Sequence, residues 1–570
     1  HTLSLHDALP IYQIYTGNYD KTFGKHAVNL LAGYEHSTKK VSGLSGQKDH
    51  LFDPFVSELD NALAHANENA SSHSDKVVRD GYFFRGDYNY DERYYGEFSL
   101  RRDGSSIFAP GHRWGTFWSA SAGWMINKEE WFKAKWVDLL KLKLSYGEQG
   151  NDNMDNGTSY YYTGFYYHPW SDYYTTTYNE TTKEYNTQMT YKGNKELSWE
   201  KSGEWNVGAD FALFNNRLNG SVEYFHKKTH DLLYWKDLPL SSGSSVAQYP
   251  INVGAIVNKG IEFNVNGDVI KTPTFDWNVN FNLTSVKTKF TELDPSIAED
   301  GLKGSSRIIR VGGSYYELYM KRYAGTDKTN GQPLFYKQVF TDKDGKIYTN
   351  SDGSYTTESE LKKNGVTDYR SKDITVNDET KASFYDLGDA LPDVYGGFGM
   401  SFNWAPENIG KFDLSFQFSY QLGGKIYDGM YQQYMTVVGN GGQTLHKDVL
   451  KAWDGVSNPT SNIPVLSTAA VDAGNVGQDC VDFYLTSSDY LNLNNVTLGY
   501  TLPRQLTSRL LINSLRVYVA GENLFIATAR KGLDPRVSMG IGGYTSGAAL
   551  IGGGGYSAMR SITAGIQLTF

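Results

Sequence analysis

The stretch LKLKLSYG, residues 140–147, places its apolar and polar side chains on opposite sides of an extended chain. Leucine and tyrosine occupy every second position, and lysine, serine and glycine occupy the positions between them. Successive side chains of a β-strand point to opposite faces, so a two-residue period is typical of a strand. The stretch therefore predicts a β-sheet that has one apolar face and one polar face.

The same two-residue period recurs along the chain. Many of these segments keep it for about 9–11 residues, which is the length that a tilted strand needs to cross a bilayer, whereas strands of water-soluble sandwiches average about 5–6. Their polar sides carry Asn, Asp, Gln, Lys and Arg, which suit a watery lumen, and aromatic residues stand near their ends. We predict an all-β fold with roughly 14–16 antiparallel membrane-spanning strands. Clear examples begin at Phe84, Trp118, Trp205, Phe275, Phe412 and Ile562.

Composition excludes several classes of protein. The 570 residues contain no run of about 18 apolar residues, so helical membrane spans are excluded, whereas alternating strands are compatible with the mean hydropathy of -0.50. The net charge of -9 and the lack of a basic stripe argue against a nucleic-acid partner. Cys480 is the single cysteine, so neither a disulfide framework nor a cysteine metal site is expected.

The predicted connections fall into two kinds. Residues 91–93 and 215–217 are very short links, whereas long loops are expected near residues 151–200, 300–390 and 425–480. Short turns on one rim and long loops on the other are typical of outer-membrane barrels. The alternative is a water-soluble all-β protein, but such long loops fit a compact domain poorly, and no fixed repeat indicates a propeller.

Six blocks of sequence, spread in order over about residues 20–570, carry a family resemblance. They are GYFFRGDYNYDERYYGEFSLRRDGSSIFAPGHRWGTFWSASAGWMI (81–126), ELSWEKSGEWNVGADFALFNNRLNGSVEYFHKKTHDLLY (196–234), NVGAIVNKGIEFNVNG (252–267), YGGFGMSFNW (395–404), DYLNLNNVTLGYTLP (489–503) and LRVYVAGENLFIATARKGLDP (515–535). Together they resemble the barrel of SusC-like (SusC/RagA) TonB-dependent transporters of Bacteroidota.

The resemblance implies a transmembrane antiparallel β-barrel of about 22 strands in the cell outer membrane, with an N-terminal plug domain in its lumen. It implies import of oligosaccharides, or sometimes peptides, without a cofactor and without enzymatic activity. The implied partners are a SusD-like surface lipoprotein, TonB, the barrel-assembly machinery and membrane lipid.

We expect this chain to be a fragment of such a transporter. Residues 13–570 are interpreted as the incomplete, C-terminal part of the barrel, with the plug and its TonB-contacting segment absent. Residues 1–12, HTLSLHDALPIY, lack both the alternation and the features of a signal peptide, so we interpret them as a non-native leader.

The richest aromatic loop is YYYTGFYYHPWSDYY, residues 160–174. Aromatic faces stack on sugar rings, and tyrosine hydroxyls form hydrogen bonds, so the candidate contacts for a glycan or peptide ligand, or for the lipoprotein, are Tyr161, Tyr166, Tyr167 and Trp170. The alternative, which the abundance of tyrosine favours, is that these side chains pack the loop on itself or belong to a girdle. The terminal aromatic Phe570 is a candidate barrel-assembly signal, and it also fits a girdle position.

No metal site is predicted. TDKDGK (341–346) and NSDGSY (350–355) are too short for a calcium loop, so we interpret them as turns. His226 and His230 fall at the end of a strand pattern, where we expect rim residues rather than a metal pair.

No catalytic pair can be assigned from the sequence. In DGSSIFAPGHRWG, residues 103–115, Asp103 is expected to form an ion-pair network with Arg101 and Arg113 that has a structural role. Two other functions remain open: a passive porin-like barrel, which needs no plug, and a surface β-rich carbohydrate-active enzyme, which requires a carboxylate pair about 5–9.5 Å apart in a cleft.

Overall fold

The molecule consists of two compact units. The first comprises His1–Phe263 with Phe290–Asp294, and the second comprises Asn264–Lys289 with Pro295–Phe570. The computed structural model describes residues 2–56, 58–62, 69–154, 168–237, 248–299, 301–303, 306–436, 444–466, 481–508, 511–538 and 558–570.

The first unit is dominated by long antiparallel strands. Its large sheet has the order β1-β2-β3-β4-β5-β6-β9-β10-β13, and β7–β8 and β11–β12 form separate hairpins. Its 3-10 helices are Leu59–Asn61 and Ile126–Lys128. Its strands are β1 (Thr2–Phe23), β2 (His26–Gln47), β3 (Asn69–Tyr90), β4 (Tyr94–Ser105), β5 (Trp114–Met125), β6 (Val137–Asn151), β7 (Tyr173–Asn179), β8 (Glu184–Tyr191), β9 (Glu200–Leu213), β10 (Leu218–His230), β11 (Leu233–Asp237), β12 (Gln248–Asn252) and the beginning of β13 (Ala255–Lys271).

The second unit has the same kind of sheet and more elaborate connections. Its large sheet has the order β14-β22-β23-β26-β27-β28, and its small sheets are β15–β16, β17–β21, β18–β19–β20 and β24–β25. Its strands are β14 (Phe275–Glu292), β15 (Leu302–Lys303), β16 (Ile308–Ile309), β17 (Glu317–Lys321), β18 (Tyr323–Thr326), β19 (Pro333–Thr341), β20 (Arg370–Val376), β21 (Phe384–Asp389), β22 (Val394–Trp404), β23 (Lys411–Leu422), β24 (Lys425–Tyr427), β25 (Leu485–Ser487), β26 (Tyr490–Thr501), β27 (Ser514–Thr528) and β28 (Ser561–Thr569). Its helices are α1 (Glu358–Lys363), α2 (Gly429–Met435), α3 (Arg504–Thr507) and α4 (Pro535–Ser538), with 3-10 helices at Glu379–Lys381, Lys447–Lys451 and Asp482–Tyr484.

The predicted all-β antiparallel fold is confirmed. Among the described residues, fifteen strands of 9 to 22 residues belong to the large sheets, which agrees with the number expected from the alternating segments. LKLKLSYG lies inside β6, where Leu144 is opposite Val207 and Tyr146 is opposite Trp205 of β9. The side-chain period of two therefore matches the pairing of neighbouring strands.

Short and long connections alternate along the chain. β3 and β4 are joined by residues 91–93, where Asp91 and Glu92 have φ angles of 53° and 51°, so the chain reverses in a tight left-handed turn. Residues 214–217 join β9 and β10 in the same way. The long connections span residues 152–199, 293–393 and 423–489. Because consecutive antiparallel strands reverse direction, short and long links fall at opposite ends of each sheet.

Residues 2–12 belong to β1, which pairs with β2 from Thr2 opposite Gln47 to Phe23 opposite His26. Strand pairing does not bear on the origin of these residues, so the interpretation of a non-native leader stays a prediction. In the part of the chain that the structure describes, no helix has both the length and the apolar character needed to cross a bilayer.

Each unit has an apolar core that is built mainly by connecting segments. The first cluster, which we call the strap cluster, lies around the β4–β5 connection and comprises Val77, Ile107, Phe108, Phe117, Met154, Leu197 and Trp199. The second, which we call the loop core, lies in the second unit and comprises Leu318, Met320, Phe335, Ala382, Ala390, Tyr427, Met435, Val481 and Tyr484. The long loops are thus packed structures in their own right.

Candidate functional site

The side chains on the apolar faces of the long strands are largely exposed. On β6, Leu142 and Leu144 are 41% and 46% exposed, and on β9 Trp205 and Val207 are 49% and 52% exposed. Buried strands of a β-sandwich would show the opposite, because their apolar rows pack against a second sheet. A contiguous exposed apolar surface is rare on proteins that live in water. This face therefore requires an apolar environment.

Aromatic side chains reinforce the same face across strands. The Tyr146 ring lies 4.6 Å from the Trp205 ring and 5.0 Å from the Trp118 ring, centroid to centroid. In the second unit, Phe398 stacks on Phe418 at 4.8 Å. Cross-strand aromatic pairs stabilise sheets by packing neighbouring strands together.

The polar face of the first unit carries cross-strand ion pairs. Lys143 Nζ on β6 lies 2.8 Å from Asp210 Oδ1 on β9 and 3.5 Å from Glu223 Oε2 on β10. Arg85 Nη2 on β3 lies 3.3 Å from Glu97 Oε2 on β4. Lys143 and Arg85 thus pair with carboxylates of adjacent strands, so the face is hydrophilic and part of its charge is compensated.

Two cavities lie against this polar face within the first unit. One, of about 560 Å³, is lined by side chains that include Asp20, Asn29, Lys141, Lys143 and Glu223. The other, of about 780 Å³, is lined by side chains that include Arg101, Asp103, Glu148, Ser202 and Lys227. Hydroxyl, amide and charged groups of both signs converge there, which provides many hydrogen-bonding positions for a polar solute.

The predicted network in residues 103–115 is only partly formed. Arg101 Nε lies 2.8 Å from Asp103 Oδ1, and Arg101 Nη2 lies 2.8 Å from Glu35 Oε2 on β2. The inclusion of Arg113 was wrong, since its Nε donates to the backbone oxygen of Phe108 at 3.1 Å. The reason is that Arg113 ends a connection that folds back on itself, whereas Arg101 and Asp103 point from β4 to the same side.

The β4–β5 connection, residues 106–113, forms a strap that is held by aromatic packing. Phe108 is fully buried, and its ring centroid lies 5.4 Å from that of Trp199. Trp199 Nε1 donates to the backbone oxygen of Arg113 at 2.9 Å, and the Phe117 ring packs against Trp199 at 5.5 Å. An added Cβ at Gly150 would lie 2.1 Å from Phe117 Cζ, so glycine is required where this ring crosses β6.

Asp152 anchors this region, and sequence analysis missed it. Its carboxylate is buried, receives hydrogen bonds from Arg79 Nε at 2.7 Å and Nη2 at 3.0 Å, and accepts one from Ser105 Oγ at 2.7 Å. Arg79 and Asp152 are 73 positions apart, so nothing in the local pattern of either could have indicated the pair.

One of the four candidate ligand contacts lies in the described part of the chain. Trp170 is half-buried, its Nε1 donates to the backbone oxygen of Ser106 at 3.5 Å, and its ring meets that of His168 edge-on at 5.9 Å. Trp170 therefore lies against the strap. Tyr161, Tyr166 and Tyr167 lie outside the described residues.

Loop tyrosines of the second unit are strongly perturbed by burial. Burial raises the pKa of Tyr323 to about 12, and its hydroxyl donates to the backbone oxygen of Asn462 at 2.9 Å. Burial, followed by a hydrogen bond to the Asp448 carboxylate, raises the pKa of Tyr431 to about 12. Burial also raises the pKa of Tyr484. These hydroxyls stay neutral and act as hydrogen-bonding groups within the loop core.

The predicted turns in the second long loop are confirmed. Asp342 Oδ1 accepts from the backbone N–H groups of Asp344 and Lys346, each at 2.9 Å, and Gly345 has a φ of 84°. Asp352 Oδ1 accepts from the Ser354 N–H at 2.9 Å. These carboxylates therefore stabilise their own turns, as Asp side chains commonly do.

Of the remaining candidates, His230 and Phe570 lie at strand ends, whereas His226 lies inside β10, four residues before its end. His226 and His230 are both on β10, where four residues span about 13 Å, and His230 Nδ1 lies 2.8 Å from Asp231 Oδ2. Within the described residues, no group of three His, Cys, Asp or Glu side chains is arranged to hold a metal ion. Phe570 follows β28 directly and is 80% exposed.

Comparison with known proteins finds relatives that match nearly the whole of this chain. Residues 7–524 match the family model described as TonB dependent receptor-like, beta-barrel. The chain is 27% identical over 564 residues to TonB-dependent receptor P3 of Formosa agariphila, covering 97% of this chain and 51% of that protein. It is 27% identical over 549 residues to TonB-dependent receptor SusC of Bacteroides thetaiotaomicron, covering 93% and 48%.

A solved structure shares the fold. The RagAB peptide transporter superimposes with a TM-score of 0.74 at 24% identity, covering 100% of this chain and 56% of the matched chain. The chain thus spans about half the length of the curated relatives and of the solved chain that it matches.

Proposed function

This chain belongs to the TonB-dependent receptor-like β-barrel family, a family of outer-membrane proteins, and from that premise we propose that the whole protein is a SusC-type importer of oligosaccharides or peptides. In this proposal the described strands form part of the barrel wall. The solute passes along the polar face, and the apolar face contacts lipid.

The proposal rests on the distribution of side chains on the long strands, which is the inverse of that in a water-soluble protein. Leucine, valine and tryptophan on β6 and β9 are exposed, while Lys143 on the other face is paired with Asp210 and Glu223. Contact with hydrocarbon is favourable for a leucine side chain and costly for an unpaired lysine. Contact with water is unfavourable for the leucine and favourable for the lysine. The two faces therefore suit a wall between lipid and water.

The proposed ligands and partners rest on the relatives. The resemblance to SusC-like transporters implies an oligosaccharide, and the matched solved structure is named a peptide transporter, so we propose one of these two classes as the solute. We propose a SusD-like lipoprotein and TonB as partners, and Phe570 as the residue that the barrel-assembly machinery recognises. Tyr161, Tyr166, Tyr167 and Trp170 remain proposed ligand contacts.

The polar face of the strands supports transport without catalysis. The carboxylates of Asp210, Glu223 and Asp103 are held by lysine or arginine of the same wall. Each of these carboxylates is already occupied by a cationic partner on the wall, which favours a structural role over a reactive one. We therefore propose that these groups guide a polar solute and do not react with it.

An uptake assay tests the proposal. Cells that express the whole protein should accumulate labelled oligosaccharides or peptides, and a protonophore should stop accumulation because TonB draws on the proton gradient. A passive porin would continue to equilibrate the solute after protonophore addition. Uptake that is unaffected by the protonophore would contradict the proposed energy coupling.

A further inference from the structure

The connections of the second unit enclose a cavity of about 910 Å³. One side is formed by Glu299, Lys303, Ile308 and Arg310, another by β19, and the rim by the segment that leads into α1 and by α1 itself. The volume lies within the range of about 300–1,000 Å³ that is usual for small-molecule sites. It is large enough for a short oligomer.

The lining of this cavity is cationic although the chain as a whole is acidic. The chain has a net charge of -9. Clefts lined by charges of one sign concentrate ligands of the opposite sign. The cationic residues of the lining, Lys303, Arg310, Lys337, Lys362 and Lys363, outnumber its two carboxylates, Glu299 and Glu358.

Only some of these cations are neutralised by the protein. Arg310 forms ion pairs with Glu317 and, at 2.6 Å, with Asp386. Lys362 Nζ lies 3.0 Å from Glu358 Oε1. The other three lysines of the lining have no ion-pair partner among the residues that the structure describes; they are Lys303, Lys337 and Lys363.

Aromatic and hydroxyl groups complete the lining. Tyr355 is 38% exposed, and the rings of Tyr319 and Phe384 are stacked at 5.4 Å with an interplanar angle of 18°. Ser359 and Ser383 add hydroxyl groups, whereas the Thr357 hydroxyl donates to Glu360 Oε2 at 2.9 Å in the cap of α1. Flat apolar rings beside hydroxyl groups suit a pyranose ring, which has apolar C–H faces and a polar rim.

We propose that this cavity binds an anionic oligosaccharide, whose sugar units carry carboxylate or sulfate groups that pair with Lys337 and Lys363. The inference deepens the proposed function and rests on it, since it specifies a class of oligosaccharide. An acidic peptide is disfavoured because little open edge remains on β19. β20 pairs with one edge; on the other, β18 pairs with residues 333–335, and Ser383 bonds to the Tyr336 oxygen and the Gln338 N–H.

Calorimetry on the detergent-solubilised protein tests the inference with three probes: trigalacturonic acid, the neutral maltotriose and triglutamate. Trigalacturonic acid should bind more tightly than the other two, and more weakly at high ionic strength. The double variant Lys337→Gln, Lys363→Gln should raise its Kd by about ten-fold, since each exposed pair contributes a factor of about two to five. Tyr355→Ala should also weaken binding.

Lys372→Gln is the matched control, because Lys372 is exposed on β20 and does not line the cavity. It should leave the Kd unchanged. An unaltered circular dichroism melting curve for the double variant shows that its fold is intact.

Each contrary result has a definite meaning. No binding of trigalacturonic acid, or equal binding by the double variant, overturns the inference. Tighter binding of triglutamate assigns the cavity to acidic peptides and also overturns it. Because calorimetry requires neither TonB nor uptake, protonophore-sensitive uptake of neutral oligosaccharides together with any of these results would leave the transport proposal standing.

Discussion

At the scale of single residues, neighbours in sequence experience opposite environments. Leu142 and Lys143 are adjacent on β6, yet the leucine is exposed on the apolar face and the lysine is paired with Asp210 and Glu223. The cost of a substitution should therefore depend on the face and much less on the position along the strand.

Leu142→Arg should destabilise the protein by about 2–4 kcal/mol if Leu142 lies near the middle of the bilayer, because a cation there loses its hydration. Lys143→Gln should cost less than about 1 kcal/mol, since the ion pairs that it removes are partly exposed to water. Urea unfolding of the protein in lipid vesicles, followed by tryptophan fluorescence, measures both values. Equal tolerance of the two substitutions would contradict the assignment of the faces.

Asp152→Ala should destabilise the strap region by about 2–3 kcal/mol, because it leaves Arg79 and Ser105 without the charged acceptor of their hydrogen bonds. Hydrogen exchange of residues 105–113 measures the effect. Glu180→Ala, in the exposed turn between β7 and β8, is the control and should change stability by less than about 0.5 kcal/mol. If the strap exchanged no faster in Asp152→Ala than in the control, Asp152 would not be its anchor.

At the scale of elements, the long connections are folded and the long strands contribute little to the apolar cores. The loop core of the second unit combines residues of the β14–β22 and β23–β26 connections, such as Phe335 and Tyr484. Sequence analysis located these connections but did not predict their shared core. Loop segments have no regular period, so their apolar residues give no indication of which face is buried.

The loop core should lose stability in alkaline solution. The pKa values of Tyr323 and Tyr431 are raised to about 12, so the folded form binds their protons more tightly than the unfolded form does. Their contribution to stability is complete below about pH 10, the ordinary tyrosine pKa, and is lost as the pH rises to about 12. Tyrosinate absorbance together with circular dichroism follows this loss.

Tyr431→Phe should make the decline of stability above pH 10 shallower, because it removes one ionising group whose pKa in the fold is about 12. Tyr185→Phe, in the exposed β7–β8 hairpin, should leave the pH dependence of the loop core unchanged. A decline of the same steepness in Tyr431→Phe and in the unsubstituted protein would show that Tyr431 is not responsible.

At the scale of the whole molecule, each unit separately shows the same inverted distribution of side chains. In the second unit Leu498 and Val519 are exposed on neighbouring strands, while Arg516 Nε on the polar face donates to Asp413 Oδ1 at 2.9 Å. The resemblance to SusC-like transporters is confirmed by the family match over residues 7–524 and by the RagAB superposition. The apolar surface of both units is thus the surface expected of an outer-membrane protein.

Lipid-borne quenchers should distinguish the two environments of tryptophan. In variants that retain a single tryptophan, brominated acyl chains should quench Trp205, which is exposed on the apolar face, and should leave Trp199, which is buried in the strap cluster, largely unquenched. Fluorescence in vesicles of brominated lipid is the measurement. Comparable quenching of both would contradict a lipid-facing role for the exposed row.

The strands, their two faces and the short turns could all be predicted without a structure, because a two-residue period and a tight turn depend only on residues that are close in the chain. LKLKLSYG therefore indicated both the β6 strand and its orientation. The folded chain was needed to show that Asp152 pairs with Arg79, that Arg113 turns away from Asp103, and that three lysines line one loop cavity. Those contacts join residues far apart in sequence, and their geometry is set by strand register and loop packing, which no local pattern encodes.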